Sequence, residues 1–240
     1  MNDVEITSVA APAKLTVSLA ITSVRDDGMH EIDAEMVSLD FGDRLDISPG
    51  TGLTVVGADQ THTIGNDIDN LVTRALKLAG RDASVVLHKT IPPGAGLGGG
   101  SSDAAAILRW AGFTDLDAAA ALGADIAYCM VGGRARVRGI GEIVEPLTFE
   151  SRTFTLVTPP LFCSTPVVYR QWDAMGGPSG DHGNDLEPAA IAAVPEMAEW
   201  RDRLGDATGC QPRLAGSGST WFVEGDFPQA GRVARTIPAL

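Results

Sequence analysis

Alternation of apolar and polar residues predicts most of the strands in this chain. Between residues 11 and 21, apolar side chains alternate with small or hydroxylated ones, which is the period of a half-buried strand. Residues 83–88 are apolar and β-branched, and residues 134–147 alternate across a glycine turn, so they predict a strand and a hairpin. Residues 34–48 predict strand broken at Gly42 and Asp43, and residues 154–158 predict the first strand of a second unit.

Other stretches carry helical signals. Apolar positions 71, 72, 75, 76 and 78 fit one face of a helix within residues 66–78. Residues 102–110 begin with residues that favour an N-cap and continue with good helix formers, and residues 115–122 are rich in alanine. Pro166 favours a helix start, and residues 184–200 predict further helix. With 44% hydrophobic residues, 28 glycines and 14 prolines, the chain is typical of an α/β or α+β protein with many tight turns.

The segment between the strand at 83–88 and the helix at 102–110 is a glycine loop, with five glycines in the seven positions 94–100. Glycines let the backbone adopt positive φ and let its N–H groups approach a ligand closely. The following helix adds free N–H groups and the positive end of its dipole. This order of elements predicts an anion site, most often one for phosphate.

Two common phosphate-binding patterns fit this loop poorly. A Walker loop ends in Gly-Lys-Ser/Thr, whereas Gly100 is followed by Ser101 and the loop contains no lysine. The letters at 94–99 match the dinucleotide pattern G-x-G-x-x-G, but two prolines separate them from the strand. The acid about twenty residues later, Asp115 or Asp117, lies in a turn. A dehydrogenase is therefore disfavoured.

Composition narrows the class of protein further. The 240 residues are 44% hydrophobic and carry a formal charge of −13, which disfavours nucleic acids and anionic membranes as partners. No stretch approaches the roughly 18 apolar residues of a membrane span, and no basic leader is present. The three cysteines form no C-x-x-C pair, so we expect a cytoplasmic protein without a disulfide framework or zinc site.

Several polar residues have two interpretations from local sequence alone. Lys14, at a strand entrance, is a solvated lysine or a functional one, and His30, after a tight turn, is a turn residue or a ligand contact. Asp125 lies in an apolar octet, so it either caps a helix starting at 126 or needs a cationic or polar partner. Small residues around Gly216 and Ser217 allow tight packing or line a phosphate pocket.

The motifs together resemble the GHMP kinases, and most closely the members that phosphorylate a cytidine diphosphate-linked methylerythritol. The matching stretches are residues 12–14, 27–31, 69–71, 91–106, 122–125, 139–142, 184–188 and 216–218. The resemblance implies a two-domain α+β fold, with a ribosomal protein S5 domain 2-like unit over 1–148 and a ferredoxin-like unit over 149–240. It also implies transfer of the γ-phosphoryl group of ATP, with Mg²⁺, to the 2-hydroxyl of that substrate in the non-mevalonate isoprenoid pathway.

Site residues follow from the same resemblance. Lys14 and Asp125 match the catalytic pair. The nucleotide would be held by Asn70 and Lys89 near the adenine and by the phosphate loop Pro93, Gly94, Ala95, Gly96, Leu97, Gly98, Gly99, Gly100, Ser101 and Ser102. The substrate would contact Thr16, Met29, His30, Thr165, Tyr169, Gly216 and Ser217. No metal ligand is assigned, although Ser102 is considered for Mg²⁺.

This chain departs from the family pattern at two of these positions. Met29 stands where an aromatic residue is usual, and Thr16 stands where asparagine is common. Both changes bear on cytidine affinity more than on the chemistry. Alternative functions are another GHMP kinase, such as a mevalonate or homoserine kinase, and a non-catalytic nucleotide-binding relative. We expect a small-molecule substrate and a monomer or homodimer.

Overall fold

The computed structural model describes residues 5–57 and 69–240, and all statements below concern those residues. Its strands are β1 (Thr7–Val24), β2 (His30–Ser48), β3 (Gly52–Val56), β4 (Ser84–His88), β5 (Arg134–Gly139), β6 (Ile143–Pro146), β7 (Thr153–Val157), β8 (Arg213–Leu214), β9 (Trp221–Glu224) and β10 (Arg232–Ile237). Its helices are α1 (Leu71–Leu78), α2 (Gly99–Trp110), α3 (Leu116–Leu122), α4 (Ala124–Val131), α5 (Thr165–Ala174), α6 (Glu187–Ala193) and α7 (Met197–Thr208).

Strand β2 is the centre of the sheet. One of its edges pairs antiparallel with β1 over most of its length. Its other edge pairs in succession with β5, β10 and β4. The long strand thus fixes β1, which carries Lys14, relative to β4, which leads into the glycine loop.

Strand β10 joins the two halves of the described sheet. Its residues Thr236 and Ile237 pair with Leu39 and Ser38 of β2, while residues 232–235 pair with β7. Strand β7 continues through β9 to β8. The predicted hairpin at 134–147 and the strands at 83–88 and 154–158 are all confirmed.

The predicted break at Gly42 and Asp43 is wrong, because β2 continues through both residues. Pairing shifts from Pro12–Gly42 to Lys14–Ser38, so β2 bulges there instead of ending. A Cβ on Gly42 would lie 2.2 Å from the Ala11 carbonyl oxygen, which explains why glycine fits this close approach. Two residue types that often interrupt strands are thus accommodated inside β2.

Helix boundaries also differ from the sequence prediction in two places. Helix α2 begins at Gly99, with Gly98 as its N-cap at φ +67°, three residues before the predicted start. The stretch 184–200 is not one helix, because the chain breaks between α6 and α7 at Val194, the residue before Pro195. Helix α1 begins at Leu71, and residues 66–68 of its predicted range lie outside the described residues.

Helix α2 packs closely in the core because its buried face is made of small residues. Ala104, Ala105 and Ala106 are almost fully buried, and the helix contacts β1, α1 and α4. Close packing against β1 and α4 brings the N-terminus of α2 near the residues those elements carry. Within the described ranges, the structure contains no helix that is long and apolar enough to span a membrane.

Candidate active site

A cavity of about 850 Å³ lies where β1, the glycine loop, α4, α5 and the turn at 216–217 meet. It is lined by all but one of the residues that the sequence predicts for the site. Those lining residues are Lys14, Thr16, Met29, His30, Asn70, Lys89, Pro93, Gly94, Ala95, Gly96, Leu97, Gly98, Gly99, Gly100, Ser101, Asp125, Thr165, Tyr169, Gly216 and Ser217. The fold therefore gathers residues from positions 14 to 217 around one space.

Backbone hydrogen bonds fix the glycine loop from two sides. The Leu97 carbonyl accepts from the Lys14 amide at 3.0 Å, and the Gly94 carbonyl accepts from the Ser219 amide at 3.0 Å. These bonds use loop carbonyls and tie the loop both to β1 and to the second half of the chain. The loop is thus held rigidly at the edge of the cavity.

Gly96 is placed where a side chain would not fit. Its φ is +76°, and a Cβ there would lie 2.4 Å from the Ala215 carbonyl oxygen and 2.7 Å from that of Gly218. Both obstacles are backbone atoms, which cannot rotate away as a side chain can. Glycine is required here by contact as well as by conformation.

The first turn of α2 faces the cavity. The N–H groups of a helix's first turn have no partner within the helix, and Gly99, Gly100 and Ser101 all line the cavity. No side chain caps this end. The arrangement leaves donors and the positive end of the dipole available to an anion.

Ser102 is the predicted site residue that does not line the cavity. Its hydroxyl donates to the Pro12 carbonyl at 2.7 Å, and its amide donates to the Gly98 carbonyl at 2.8 Å. The residue is 1% exposed. Its hydroxyl therefore fastens α2 to β1, which gives no support to the expectation that Ser102 contacts phosphate or Mg²⁺.

Lys14 and Asp125 form an ion pair inside the cavity. The Lys14 ammonium lies 3.2 Å from a carboxylate oxygen of Asp125 and donates to the Thr16 hydroxyl at 2.9 Å. The Lys14 side chain is 6% exposed, whereas that of Asp125 is 32% exposed. Gly123, not Asp125, is the N-cap of α4. Asp125 thus has the cationic partner expected of it and keeps an open side toward the cavity.

A second buried cation stands behind the loop. The Lys89 ammonium donates to Asp43 and, at 2.7 Å, to Asp103. Burial alone would lower the pKa of Lys89, but the charges of Asp103 and Asp43 raise it. Burial raises the pKa of Asp103 to about 7, with the charge of Asp43 acting in the same direction. Two carboxylates therefore share one ammonium, at the base of the segment that leads into the loop.

Asp43 explains how this segment is oriented. Its carboxylate accepts from the backbone amides of Thr90 and Ile91 as well as from Lys89. Asp43 lies in regular register with Ala11, just beyond the bulge of β2, and its carboxylate holds the start of the segment that leads into the loop. The Lys89 ammonium is already held by two acids. Its predicted contact with adenine stays a prediction.

An aromatic cluster forms the far end of the cavity. The His30 ring lies 4.7 Å from that of Tyr169, tilted by 47°, and 5.4 Å from that of Trp172, edge on. Its Nε2 lies 2.7 Å from a carboxylate oxygen of Asp173. Burial, with a smaller effect from the charge of Asp125, raises the pKa of Tyr169, so its phenol stays neutral. Met29, 45% exposed, lines the cavity beside this cluster.

The turn at 216–217 packs against the glycine loop and lines the cavity beside it. Asn184, which is buried, donates its side-chain amide to the Leu214 carbonyl at 2.8 Å and to the Gly216 carbonyl at 2.7 Å. The Ser217 hydroxyl lies 2.8 Å from that of Thr165 at the start of α5. Asn184 and Thr165 thus position this turn.

Sequence reasoning missed three charged residues of the cavity lining, Asp103, Arg170 and Asp173. Asp173 follows Tyr169 by four residues, so helical spacing alone would have placed both on one face of α5. Arg170 is adjacent to Tyr169 but carries no motif. Asp103 was visible only as part of the helix that follows the loop.

The cavity combines two chemical capacities. The loop and the N-terminus of α2 offer donors for a chain of phosphates, and Lys14 with Asp125 offers a cation and a base within reach of one another. Within the described residues, no three His, Cys, Asp or Glu side chains lie close enough to hold a metal ion by themselves. Single oxygen donors that suit a hard cation do line the cavity, among them the Asp125 carboxylate and the Ser101 hydroxyl.

Comparison with known proteins points in one direction. Residues 70–134 match the model of the GHMP kinases N terminal domain. A 4-diphosphocytidyl-2-C-methyl-D-erythritol kinase of Paracoccus denitrificans is 37% identical, with 89% of this chain and 85% of the relative covered. A protein of the same name from Cereibacter sphaeroides is 34% identical, with 95% of this chain and 93% of the relative covered.

A solved structure agrees with this result. The crystal structure of a 4-(cytidine 5'-diphospho)-2C-methyl-D-erythritol kinase superposes with a TM-score of 0.76 at 29% identity, covering 96% of this chain and all of that one. The predicted α+β GHMP kinase fold is thereby confirmed.

Proposed function

The chain belongs to the 4-diphosphocytidyl-2-C-methyl-D-erythritol kinase family, and from this we propose how its cavity carries out the family's reaction. It is a small-molecule kinase of the non-mevalonate route to isoprenoid precursors, and it transfers the γ-phosphoryl group of ATP to the 2-hydroxyl of its cytidyl substrate. The observation that supports the residue assignment best is the Lys14–Asp125 pair in the same cavity as the glycine loop.

Asp125 accepts the proton of the attacking hydroxyl, or orients that hydroxyl through a hydrogen bond. Its one open side supports this role, because the other side is occupied by Lys14. Lys14 fixes the position of the Asp125 carboxylate and offsets charge that develops on the transferring group. The Thr16 hydroxyl, 2.9 Å from the Lys14 ammonium, holds that ammonium in place.

The glycine loop and the first turn of α2 bind the phosphates of ATP. Gly99, Gly100 and Ser101 direct free amides into the cavity, and Gly96 keeps the loop close to the turn at 215–218. Asn70, the N-cap of α1, and Lys89 would lie near the adenine. Phosphoryl transfer depends mainly on such positioning and on charge neutralisation.

Mg²⁺ would accompany ATP and supply positive charge against the phosphates. The donor set fits an ion that keeps phosphate and water ligands, since the described residues offer single oxygen donors and no three-residue cluster. The Ser101 hydroxyl, in the first turn of α2 and on the cavity surface, is the donor that fits best. Asp125 then stays available to the substrate hydroxyl.

The cytidyl group lies at the His30–Tyr169 end of the cavity. The Tyr169 ring offers a face for the base, and base–aromatic stacking contributes about 1–3 kcal/mol. His30, held by Asp173, donates to or accepts from the base edge. Met29 faces the other side, while Thr165, Gly216 and Ser217 form the wall between this end and Lys14.

We also propose domains over 1–148 and 149–240, a cytoplasmic location, and a monomer or homodimer.

ADP release from Mg-ATP tests the proposal. Purified protein is assayed with the cytidyl substrate and, in parallel, with mevalonate and with homoserine. Release that depends on the cytidyl substrate alone is the expected result. Release with another alcohol would move the substrate assignment to a different GHMP kinase while leaving the Lys14–Asp125 chemistry in place, and nucleotide binding without any release would favour a non-catalytic relative.

A further inference from the structure

Arg170 is the one basic side chain of the described cavity lining that has no acidic partner. The others are Lys14, Lys89 and His30, each of which lies within 4 Å of at least one carboxylate. Arg170 lines the same cavity, yet no carboxylate among the described residues lies within ion-pair distance of its guanidinium. Arg170 is exposed at the cavity surface, so in a chain with 31 acidic and 18 basic residues its guanidinium is available to an anionic ligand.

The position of Arg170 on α5 indicates which anion it meets. Helix α5 begins at Thr165, which contacts Ser217 on the side of Lys14. One turn later Tyr169 contacts His30, and another turn later Asp173 holds the same histidine. Arg170 directly follows Tyr169, so it stands at the cytidine end of α5, where its long side chain lines the cavity that also holds Lys14 and Asp125.

The substrate has its own anion in the corresponding place. Its diphosphate links the cytidine to the methylerythritol that carries the accepting hydroxyl. With the base at His30 and Tyr169 and the hydroxyl at Asp125, the diphosphate lies along the wall formed by α5. The phosphates of ATP are bound separately by the glycine loop and α2, so they do not need Arg170.

We propose that Arg170 binds the diphosphate of the cytidyl substrate and thereby selects a diphosphate-linked alcohol over a neutral one. A guanidinium presents paired N–H donors to phosphate oxygens, which a lysine cannot reproduce in full. This inference rests on the proposed function, because it takes the cytidine end of the cavity as given. It assigns to Arg170 a role in substrate choice, not in the chemical step.

Calorimetric binding of CDP and of cytidine separates this role from structural effects. The variants are Arg170→Gln, Arg170→Lys and the control Arg203→Gln, which makes the same charge change on exposed α7, outside the cavity lining. We expect the unaltered protein to bind CDP more tightly than cytidine. We expect Arg170→Gln to weaken CDP binding roughly tenfold or more while cytidine affinity stays unchanged, since the variant loses a charged hydrogen bond to the diphosphate. Arg170→Lys should lie in between.

The outcomes distinguish this inference from the function it rests on. Equal weakening of CDP and cytidine in Arg170→Gln, or an unchanged preference for CDP, would overturn the role of Arg170 and leave the kinase assignment intact. If the unaltered protein binds neither CDP nor cytidine, the cytidyl site itself is wrong and the inference fails with it. A KM increase for the cytidyl substrate, with kcat and the KM for ATP unchanged, is the matching kinetic result.

Discussion

The carboxylate of Asp125 lies 3.2 Å from the ammonium of Lys14, and only the carboxylate has a substantial open side. Because the lysine is enclosed by protein, its charge acts on Asp125 and on what Asp125 contacts more than on bulk solvent. The pair is therefore directed at a ligand in the cavity.

Asp125→Asn should lower kcat by at least about a hundredfold, because the amide cannot accept a proton from the substrate hydroxyl. Binding of an ATP analogue should be nearly unchanged, since the glycine loop is untouched. Steady-state kinetics and calorimetry measure the two effects. The matched control is Asp117→Asn, an exposed aspartate in the first turn of α3, and it should behave as the unaltered protein. Normal turnover in Asp125→Asn would remove this residue from catalysis.

Met29→Tyr should tighten binding of the cytidyl substrate. Met29 lines the cavity next to the His30 cluster and is 45% exposed, so a larger ring has room there. An aromatic face stacks on a base more favourably than a thioether does. We expect the KM to fall several-fold with kcat unchanged. Met175→Tyr, at an exposed position outside the cavity lining, is the control. An unchanged KM would show that Met29 does not face the base.

Gly96→Ala should destabilise the protein more than Gly80→Ala. Both glycines have positive φ, +76° and +61°, so both substitutions cost about 1–2 kcal/mol of backbone strain. Only at Gly96 would the new Cβ also meet backbone oxygens, whereas at Gly80 nothing lies within 4 Å. Denaturant unfolding measures the difference, and ATP affinity should fall only in Gly96→Ala. Equal losses of stability would mean that the loop can move away.

Asp103→Asn should change how stability depends on pH. Burial raises the pKa of Asp103 to about 7, well above that of an aspartate in the unfolded chain. Between about pH 4 and pH 7 the folded state therefore binds the extra proton, so the free energy of unfolding falls as pH rises through that window. The variant lacks this loss. Its free energy of unfolding minus that of the unaltered protein should rise from pH 5 to pH 8, by about 2–3 kcal/mol.

Denaturant unfolding at several pH values measures this difference, again with Asp117→Asn as control. A difference that stays flat, or falls, from pH 5 to pH 8 would contradict the raised pKa of the buried Asp103 carboxyl. The measurement concerns stability alone and needs no substrate.

Local sequence predicted the parts of the site that depend on local conformation. The loop glycines, the helix that follows them and the turn before His30 all have strong short-range signals, and the structure contains each of them. The bond at the start of α1, in which the Asn70 side-chain oxygen accepts from the Val72 amide, depends on the same kind of local interaction. These features need no knowledge of distant residues.

The other features of the fold and the site depend on contacts between residues that are far apart in the sequence. Gly42 and Asp43 carry turn signals, yet β2 continues because its neighbours supply the pairing and Asp43 finds donors in Thr90 and Ile91. Ser102 is a residue type that favours helix caps, but its hydroxyl donates to the carbonyl of Pro12, ninety positions earlier in the chain. The sequence around Lys89 gives no indication that two acids enclose its ammonium. Interactions of this kind appear only once the sheet is assembled.

The pairing of β10 with both β2 and β7 has a consequence for synthesis. The ribosome produces the glycine loop, Lys14 and Asp125 well before it produces residues 232–237. Until then the edge of β2 that β10 covers at Ser38 and Leu39, and most of one edge of β7, have no strand paired with them. Unpaired edges are where chains associate wrongly. A nascent chain therefore passes through an interval in which both halves of its sheet are open, and protection by a chaperone would matter most during that interval.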